Sequence, residues 1–220
     1  MRLGSLEPRI VTEDFARELS QIIEICPHFH LSLQSGCDET LRRMNRHYTT
    51  QEYLQGLAIL RRYFPEPAIT TDIIVGFPGE TEGEFEETCV FVKKAAFAQV
   101  HVFKYSRRQG TMADAMENQL SEGVKGERSD RLLALEKECR MAYQGQLIDR
   151  ETEILFEEVT QIGDKQYLTG YNERYVRVVV NGEAVDEAEK YCNQIASVRI
   201  KGYVNGDTLE GEFTVADGGQ

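Results

Sequence analysis

The sequence predicts an α/β fold in its first part, followed by a small antiparallel β-barrel. Up to about residue 147, short apolar segments alternate with helical patterns, which is typical of βαβ units around a parallel sheet. Beyond that point the apolar residues alternate with a period of two between turn signals, as in small antiparallel barrels. The predicted domains are therefore residues 1–146 and 147–214, with a tail over residues 215–220.

Threonines mark the starts of three helices in the first domain. Thr12 precedes two acidic residues, while Thr49 with Glu52 and Thr81 with Glu84 have the spacing of a capping box. A longer helix closes the domain, and its apolar residues form one inward stripe. The predicted strands are 3–6, 29–34, 69–75 and 100–105, and the predicted helices are 13–25, 52–63, 82–95 and 121–147.

The second domain is predicted as several short strands joined by tight turns. Asn181-Gly182 and Asn205-Gly206 are strong turn signals, because these residue types tolerate a positive φ angle. The predicted strands lie around 152–157 and over 175–180, 195–204 and 208–213.

Composition and charge exclude several classes of protein. The 220 residues carry 25 Lys and Arg against 37 Asp and Glu, a net charge of −12, and 41% are hydrophobic. This composition is that of a globular chain rather than a disordered one, and its acidity argues against simple electrostatic binding of nucleic acid. No apolar run approaches the ~18 residues of a membrane helix, and the first eight residues do not form a signal peptide. We expect a cytoplasmic protein without membrane association.

Metal-binding patterns are absent from the sequence. The five cysteines are far apart, so their spacing predicts reduced, mostly buried thiols rather than a zinc or iron–sulfur site. Of the four histidines, His28 and His30 are too close together on one extended segment to join an obvious third ligand, and we expect structural roles for them. The cysteines are Cys26, Cys37, Cys89, Cys139 and Cys192.

Polar side chains interrupt two strands that should be buried. His30, Ser32 and Gln34 share one strand face, and Asp72 lies in a run of apolar residues. Strands of parallel sheets are usually apolar on both faces, so inward polar residues near the carboxyl ends of strands suit an active site. A solvated, inert sheet face explains the pattern equally well.

Two loops and one basic run are weaker candidates for ligand binding. Residues 76–81, Gly-Phe-Pro-Gly-Glu-Thr, follow a strand and open a helix, where glycines and the helix start favour an anionic group. The loop matches neither a Walker motif nor GxGxxG, so a plain strand-to-helix turn is the simpler interpretation. Arg42, Arg43 and Arg46 can bind a carboxylate or phosphate, although such a run is more often a solvated helix face.

Five longer motifs occur in order along the chain, and together they carry a specific resemblance. They are Arg-Leu-Gly-Ser-Leu-Glu-Pro at 2–8, His-Leu-Ser-Leu-Gln-Ser-Gly-Cys-Asp at 30–38, Leu-x-x-Met-x-Arg-x-Tyr-Thr at 41–49, Thr-Asp-Ile-Ile-Val-Gly-Phe-Pro-Gly-Glu-Thr at 71–81, and Tyr-Ser-x-Arg-x-Gly-Thr at 105–111. The chain resembles the tRNA methylthiotransferases, which are radical S-adenosylmethionine (SAM) enzymes. Gly-Ser-Leu-Glu-Pro, and Cys37 after Gln-Ser-Gly, resemble the branch that acts on N6-threonylcarbamoyladenosine more than the isopentenyladenosine branch.

The resemblance implies a partial (β/α) TIM-like barrel, represented by its later strands, followed by an OB-like TRAM barrel. Members of the family carry an N-terminal domain with one iron–sulfur cluster, and the central barrel binds a second, [4Fe–4S], cluster through a CxxxCxxC loop. Neither that domain nor that loop is present in this sequence. We therefore expect a C-terminal piece of such an enzyme, with no metal ligands of its own and no activity alone.

The resemblance also implies a binding site for S-adenosylmethionine across the carboxyl ends of the barrel strands. Polar residues there hold the ribose and methionine moieties of the cofactor, and Arg46 is a possible partner for its carboxylate. The other residues at these positions are Ser5, Glu7, Gln34, Ser35, Asp72, Gly76, Tyr105 and Ser106.

The reaction that the resemblance implies is the methylthiolation of a tRNA base. In such enzymes a 5′-deoxyadenosyl radical abstracts hydrogen from C2 of the modified adenine at position 37, and a methylthio group replaces it. The anticodon loop of tRNA offers unstacked bases to such a site.

The charge of the second domain conflicts with RNA binding. Residues 147–213 contain 7 basic and 14 acidic residues, whereas RNA-binding domains are usually basic. The expected RNA contacts are a local stripe of Arg174, Arg177, Arg199 and Lys201.

Three alternatives remain open at the level of the sequence. The chain can belong to the isopentenyladenosine branch, or it can be a non-catalytic RNA-binding or scaffold module of the same folds. Without the resemblance, an unrelated α/β enzyme with a phosphate-bearing ligand also fits. A barrel that lacks strands exposes an edge, so non-physiological self-association is a further expectation.

Overall fold

The computed structural model describes residues 1–182 and 188–214 and forms two compact units, Met1–Arg140 and Met141–Gln220. The boundary between them falls inside the long helix, whereas the sequence places it at residue 147. The predicted tail, 215–220, lies outside the described residues. Among the described helices, none has the length and apolar character needed to cross a membrane.

The first unit contains a three-stranded parallel sheet in the order β1-β2-β3. Its strands are β1 (His28–His30), β2 (Ala68–Val75) and β3 (Gln99–Lys104). The predicted strand over 3–6 is wrong, because only Leu6 forms a parallel bridge, with Leu31, before Pro8 opens a 3-10 helix. The helices are α1 (Glu13–Ser20), α2 (Asp38–Arg43), α3 (Thr50–Tyr63), α4 (Glu82–Ala95), α5 (Met112–Ala115) and α6 (Glu122–Gly145).

Helix starts follow the predicted capping residues. The Thr49 hydroxyl accepts from the Glu52 amide and the Glu52 carboxylate accepts from the Thr49 amide, and the same reciprocal pair joins Thr81 and Glu84. Thr12 accepts from the Phe15 amide at the start of α1. These bonds satisfy amides that have no partner within the helix.

The helices cover one face of the sheet and leave the other face polar. Phe29, Ile69 and Ile73 are fully buried and pack in one core with residues of α3 and α4. Tyr53 of α3 is buried in this core, and its hydroxyl donates to the Leu31 carbonyl at 2.9 Å. A buried tyrosine requires such a partner, so this bond fixes α3 against the end of β1.

The second unit is a closed five-stranded barrel in the order β4-β5-β6-β8-β7. Its neighbouring strands are antiparallel except β6 and β8, which run parallel. Leu168, Val178 and Ile200 belong to its interior core. Gly170 allows close strand approach, since a Cβ there would lie 2.2 Å from the Leu155 carbonyl oxygen. The strands are β4 (Glu151–Ile162), β5 (Lys165–Asn172), β6 (Arg177–Asn181), β7 (Ile195–Tyr203) and β8 (Leu209–Phe213).

Both fold expectations are confirmed by these two units. The first unit is an α/β arrangement around parallel strands, and the second is a small barrel closed on itself. Closure removes exposed strand edges from the second unit, whereas the sheet of the first unit ends at β3 among the described residues.

Candidate functional site

Strand register brings three polar side chains together on the polar face of the sheet. His30 of β1 lies opposite Thr70 of β2, and Asp72 lies opposite His101 of β3. Because alternate residues of a strand point to the same side, His30, Asp72 and His101 project from three neighbouring strands onto one face. His30 and Asp72 are half-buried, and His101 is exposed.

The three side chains form a polar cluster whose atoms are already hydrogen-bonded in part. His30 Nε2 lies 3.2 Å from Asp72 Oδ2, and His30 Nδ1 lies 3.0 Å from Thr70 Oγ1. The ring centroids of His30 and His101 are 5.9 Å apart. One ligand atom from each of His30, Asp72 and His101 lies within 4.8 Å of the others. Two imidazoles and a carboxylate can hold a divalent transition metal or orient a polar ligand.

The expectation of structural roles for His28 and His30 stays a prediction, although the fold gives His30 two neighbours that could also bind a ligand, Asp72 and His101. His28 and His30 share a strand face, whereas the two other members of the cluster, Asp72 and His101, come from the neighbouring strands β2 and β3. The sequence signal was the alternation that sets His30 and Asp72 on one side of their strands. The register that adds His101 is not visible in the sequence.

His28 is buried and electrically neutral. Its side chain is 6% exposed, and burial, followed by the nearby positive charge of Arg2, lowers its pKa from 6.5 to about 4. His30 and His101 act in the same direction. His28 Nε2 lies 3.4 Å from the Thr70 hydroxyl, which also contacts His30. The polar face is therefore linked to a histidine that does not carry charge near neutral pH.

Gln34 lies at the carboxyl end of this sheet in a left-handed backbone conformation. Its φ angle is +72°, which is unusual for a residue other than glycine. Two bonds hold it there: its amide donates to the Asp72 carbonyl at 2.8 Å, and its carbonyl accepts from the Ile74 amide at 2.9 Å. Within the described part of the chain its side-chain amide makes no hydrogen bond. The sheet therefore presents an uncommitted carboxamide at its edge, on a backbone strained in the manner of functional sites.

Ser35, which follows Gln34, is committed to the fold. Its hydroxyl lies 3.3 Å from the Thr88 hydroxyl of α4 and accepts from the Cys37 amide at 3.3 Å. The next residue, Gly36, packs so closely that a Cβ there would lie 2.7 Å from Phe91 Cβ. These contacts join the strand end to α4 and fix the position of Gln34.

The loop from Gly76 to Glu80 is held by a buried ion pair. The Gly76 amide donates to Glu80 Oε2 at 2.7 Å, and Arg128 Nη1 of α6 donates to the same oxygen at 2.7 Å. Arg128 also donates to the Glu80 carbonyl at 3.0 Å. Burial raises the pKa of Glu80, although the Gly76 amide and Arg128 oppose that rise. The Gly76 amide thus donates to a carboxylate of the protein itself. This contact explains the glycine in the loop without an anionic ligand.

Tyr105 packs behind the same loop. Its amide donates to the Val75 carbonyl at 2.8 Å, and its ring meets Phe77 edge-on at a centroid distance of 5.3 Å. Lys125 Nζ also lies over this ring, 5.4 Å from its centroid. The Tyr105 hydroxyl is buried without a hydrogen-bond partner among the described residues, so it is a polar atom that a ligand or water can satisfy.

The remaining predicted cofactor residues lie at the surface. Ser5, Arg46 and Ser106 are exposed. Glu7 is also exposed, and its carboxylate accepts from the Arg9 amide at 3.2 Å to begin the 3-10 helix. Among the nine residues predicted to contact the cofactor, only Gln34 and Asp72 are joined to each other by a hydrogen bond described above.

The four basic residues predicted to bind RNA differ in their partners. Arg174 forms an ion pair with the adjacent Glu173, Arg199 pairs with Glu151 at 2.5 Å, and Lys201 pairs with Glu212 at 3.1 Å. Arg177 donates to the Thr169 hydroxyl at 3.0 Å and has no carboxylate partner among residues 1–182 and 188–214. Acidic neighbours therefore neutralise most of the predicted stripe, so the stripe does not resolve the conflict between RNA binding and the acidic composition.

Comparison with known proteins identifies the class to which the first unit belongs. Residues 4–92 match the radical SAM superfamily. The solved structure of coproporphyrinogen III oxidase from Escherichia coli, described as a radical SAM enzyme, superposes with a TM-score of 0.53 at 16% identity, covering 75% of this chain and 45% of that one. The fold is thus that of radical SAM proteins.

Two curated relatives, both named for tRNA methylthiolation, share sequence similarity with most of this chain. The chain is 38% identical over 201 residues to threonylcarbamoyladenosine tRNA methylthiotransferase MtaB of Bacillus subtilis, covering 91% of this chain and 44% of the relative. It is 41% identical over 157 residues to tRNA-2-methylthio-N(6)-dimethylallyladenosine synthase of Caldicellulosiruptor saccharolyticus, covering 71% and 33% respectively. Over most of its length the chain is therefore similar to radical SAM tRNA methylthiotransferases, which confirms the resemblance carried by the five motifs. It spans less than half the length of these relatives.

The family implies S-adenosylmethionine and [4Fe–4S] clusters as cofactors, and the cysteines of this chain do not fit a cluster. All five are free thiols. Within the described residues, none of them belongs to a group of potential metal ligands. Burial raises the pKa of Cys37, Cys89 and Cys139, which disfavours the thiolate that iron requires. This agrees with the absence of a CxxxCxxC sequence.

Proposed function

We propose that this chain is part of an enzyme that adds a methylthio group to C2 of N6-threonylcarbamoyladenosine at position 37 of tRNA. One observation carries the proposal: similarity to a relative named for that nucleoside extends over 201 residues at 38% identity and so runs through both units. A tRNA substrate places the reaction in the cytoplasm, and the anticodon loop supplies the unpaired base.

S-adenosylmethionine is the proposed ligand of the carboxyl edge of the sheet. When bound in radical SAM enzymes it supplies the radical chemistry of the family. We assign direct contacts to the Gln34 carboxamide and to the Asp72 carboxylate, which His30 orients at 3.2 Å. Ser35, Gly76 and Tyr105 position the strand ends and the loop, as their internal hydrogen bonds and packing indicate. Ser5, Glu7, Arg46 and Ser106 remain proposed contacts of the ribose and carboxylate groups.

The chain alone is proposed to be inactive. Its cysteines do not fit the cluster on which the radical chemistry depends, so it contributes the substrate-positioning and tRNA-binding parts of a longer or assembled enzyme. A cysteine-ligated [4Fe–4S] cluster in this 220-residue chain would overturn this part of the proposal.

Nucleoside mass spectrometry of bulk tRNA tests the proposed reaction. In a strain without the gene for this chain, the methylthio derivative of N6-threonylcarbamoyladenosine is expected to vanish, and the unmodified nucleoside is expected to accumulate. Loss of the methylthio group from the isopentenyl nucleoside instead would move the chain to the other branch. Unchanged levels of both methylthio nucleosides would refute a role in tRNA methylthiolation.

A further inference from the structure

A row of exposed apolar and aromatic side chains crosses the outer face of the barrel in the second unit. Ile195 of β7 lies opposite Leu155 of β4, and Leu155 lies opposite Tyr171 of β5. Leu155 and Ile195 are 45% and 63% exposed, and Tyr175, in the turn after β5, is 49% exposed. We name Leu155, Tyr171, Tyr175 and Ile195 the tyrosine patch. Exposed apolar side chains that lie side by side on neighbouring strands are candidates for a binding surface.

The backbone of Tyr175 is held in a strained conformation. Its φ angle is +60°, a left-handed value that asparagine and glycine adopt far more readily than a bulky aromatic residue. The buried Asn172 enforces it: its side-chain oxygen accepts from the Arg174 amide at 3.0 Å and from the Val176 amide at 2.9 Å. The Tyr175 amide donates to the Asn172 carbonyl at 3.0 Å. The turn therefore holds a tyrosine at a backbone position that asparagine fits better, which fixes where its ring leaves the barrel surface.

The ring of Tyr175 extends a stack. It lies over the Tyr171 ring with centroids 4.6 Å apart and an interplanar angle of 22°. Two nearly parallel rings, one of them half exposed, form a platform to which another flat aromatic group can add. Aromatic platforms of this kind hold unpaired nucleic-acid bases.

A guanidinium lies beside the platform. Arg177 is the register partner of Tyr171 across β5 and β6. It is exposed, and it has no carboxylate partner in the part of the chain that the structure describes, in contrast to Arg199 and Lys201. Its charge is therefore available for a phosphate, which guanidinium groups bind strongly.

We propose that Tyr175 and Arg177 bind one unpaired nucleotide of RNA, with the base stacked on Tyr175 and the phosphate paired with Arg177. This inference rests on the proposed function, which supplies an RNA substrate. A site for a single nucleotide needs one available cation rather than a basic surface, so it is compatible with the acidic domain. It assigns a main RNA contact to a tyrosine that charge-based reasoning does not select.

The absence of tryptophan allows a direct spectroscopic test. Tyr175→Trp introduces a single tryptophan at the platform. Titration with a short RNA hairpin that has an unpaired loop is expected to quench its fluorescence, while a blunt duplex of the same stem is expected to leave the fluorescence unchanged. The proposal would be overturned if both RNAs quench the tryptophan fluorescence equally, or if the hairpin does not quench it. Absence of quenching by the hairpin is also the result expected if the tyrosine patch binds a protein instead of RNA.

Affinity measurements separate stacking from folding. Tyr175→Asn suits the left-handed backbone, so its melting temperature is expected to stay equal or rise, while affinity for the labelled hairpin in fluorescence anisotropy falls about five- to 150-fold. Arg177→Gln is expected to weaken binding and to lower the salt dependence by about one phosphate contact. The matched control Arg199→Gln removes a charge already paired with Glu151 and is expected to change affinity less than about twofold.

Two results would contradict the inference independently of the proposed reaction. If Tyr175→Asn binds the hairpin with wild-type affinity, the proposed stacking site is refuted, although the chain still binds RNA. Failure of the full chain to bind the hairpin would overturn the site even if nucleoside analysis supports tRNA methylthiolation. Conversely, intact binding with unchanged nucleosides would leave the site standing and refute the proposed reaction.

Discussion

Replacing Arg128 by methionine is expected to lower the free energy of unfolding of the first unit by about 3–5 kcal/mol, the usual cost of breaking a buried ion pair from one side. The side chains of Arg128 and Glu80 are only 6% and 2% exposed, and they meet at 2.7 Å. The substitution leaves the Glu80 carboxylate in a medium of low dielectric constant with the Gly76 amide as its remaining hydrogen-bond donor among the contacts described. The loop at the carboxyl end of β2 loses its attachment to α6.

The pH dependence gives a second signature of the same cause. Burial already raises the pKa of Glu80 above its ordinary 4.5, and loss of the Arg128 charge raises it further. A carboxyl whose pKa is higher in the folded than in the unfolded state favours folding at low pH. The stability deficit of the Arg128→Met variant is therefore largest at neutral pH and shrinks as the pH falls toward 4.5.

Urea unfolding followed by far-ultraviolet circular dichroism measures both effects. Arg131→Met is the matched control on the same helix, because Arg131 pairs with Glu82 and Glu86 while remaining 38% exposed. Exposed pairs contribute at most about 1 kcal/mol. An Arg128→Met protein that loses no more stability than Arg131→Met, or a deficit independent of pH, would refute the structural role assigned to the pair.

Two further predictions concern packing and charge in the first unit. Folded His28 stays neutral down to its pKa of about 4, whereas the unfolded chain binds this proton from pH 6.5 downward. The free energy of unfolding is therefore expected to fall by about 3 kcal/mol as the pH drops from 6.5 to about 4. If urea unfolding gives wild type and His28→Gln the same dependence of this free energy on pH, the prediction is contradicted. Gly36→Ala is expected to cost about 1–3 kcal/mol through overpacking, because its Cβ would lie 2.7 Å from Phe91 Cβ and 2.8 Å from Thr88 Cα. Gly126→Ala is the control, because a Cβ at this helix position meets open space, and it is expected to raise stability by up to about 1 kcal/mol. If both alanine variants shift the melting temperature equally, the packing argument for Gly36 is contradicted.

Local features of the fold were predictable from the sequence because they depend on a few consecutive residues. The capping boxes of Thr49 and Thr81 need only a partner three positions later, and both form. The alternation of strands with helices likewise identifies a parallel sheet without knowledge of its register. The short helices α2 and α5 were missed, since pieces of 6 and 4 residues carry too little periodicity to detect.

The candidate site could not be assembled in the same way. The contact of His30 with Asp72 joins residues on different strands, and the pair of Glu80 with Arg128 joins a loop to a distant helix. Each depends on register and packing that only the folded chain defines. The motif resemblance placed Gln34 and Asp72 near the carboxyl ends of real strands but Ser5 and Glu7 at the end of a strand that does not form. It also did not distinguish residues that hold the fold, such as Ser35, from residues with uncommitted side chains, such as Gln34.

The same distinction applies to the basic residues of the second unit. Charge alone treats Arg174, Arg177, Arg199 and Lys201 as equivalent, yet only Arg177 among them has no carboxylate partner within the described residues. Side chains that satisfy one another are weak candidates for a ligand, because binding must first break the internal pair. Gln34, at the carboxyl end of the sheet, and Arg177, beside the stacked tyrosines, differ from these pairs. An ordered backbone places each of them, the Gln34 carboxamide makes no hydrogen bond within the described residues, and Arg177 donates its Nε to the Thr169 hydroxyl but has no carboxylate partner there. That combination, rather than residue type, is the physical basis for assigning them to ligand contact.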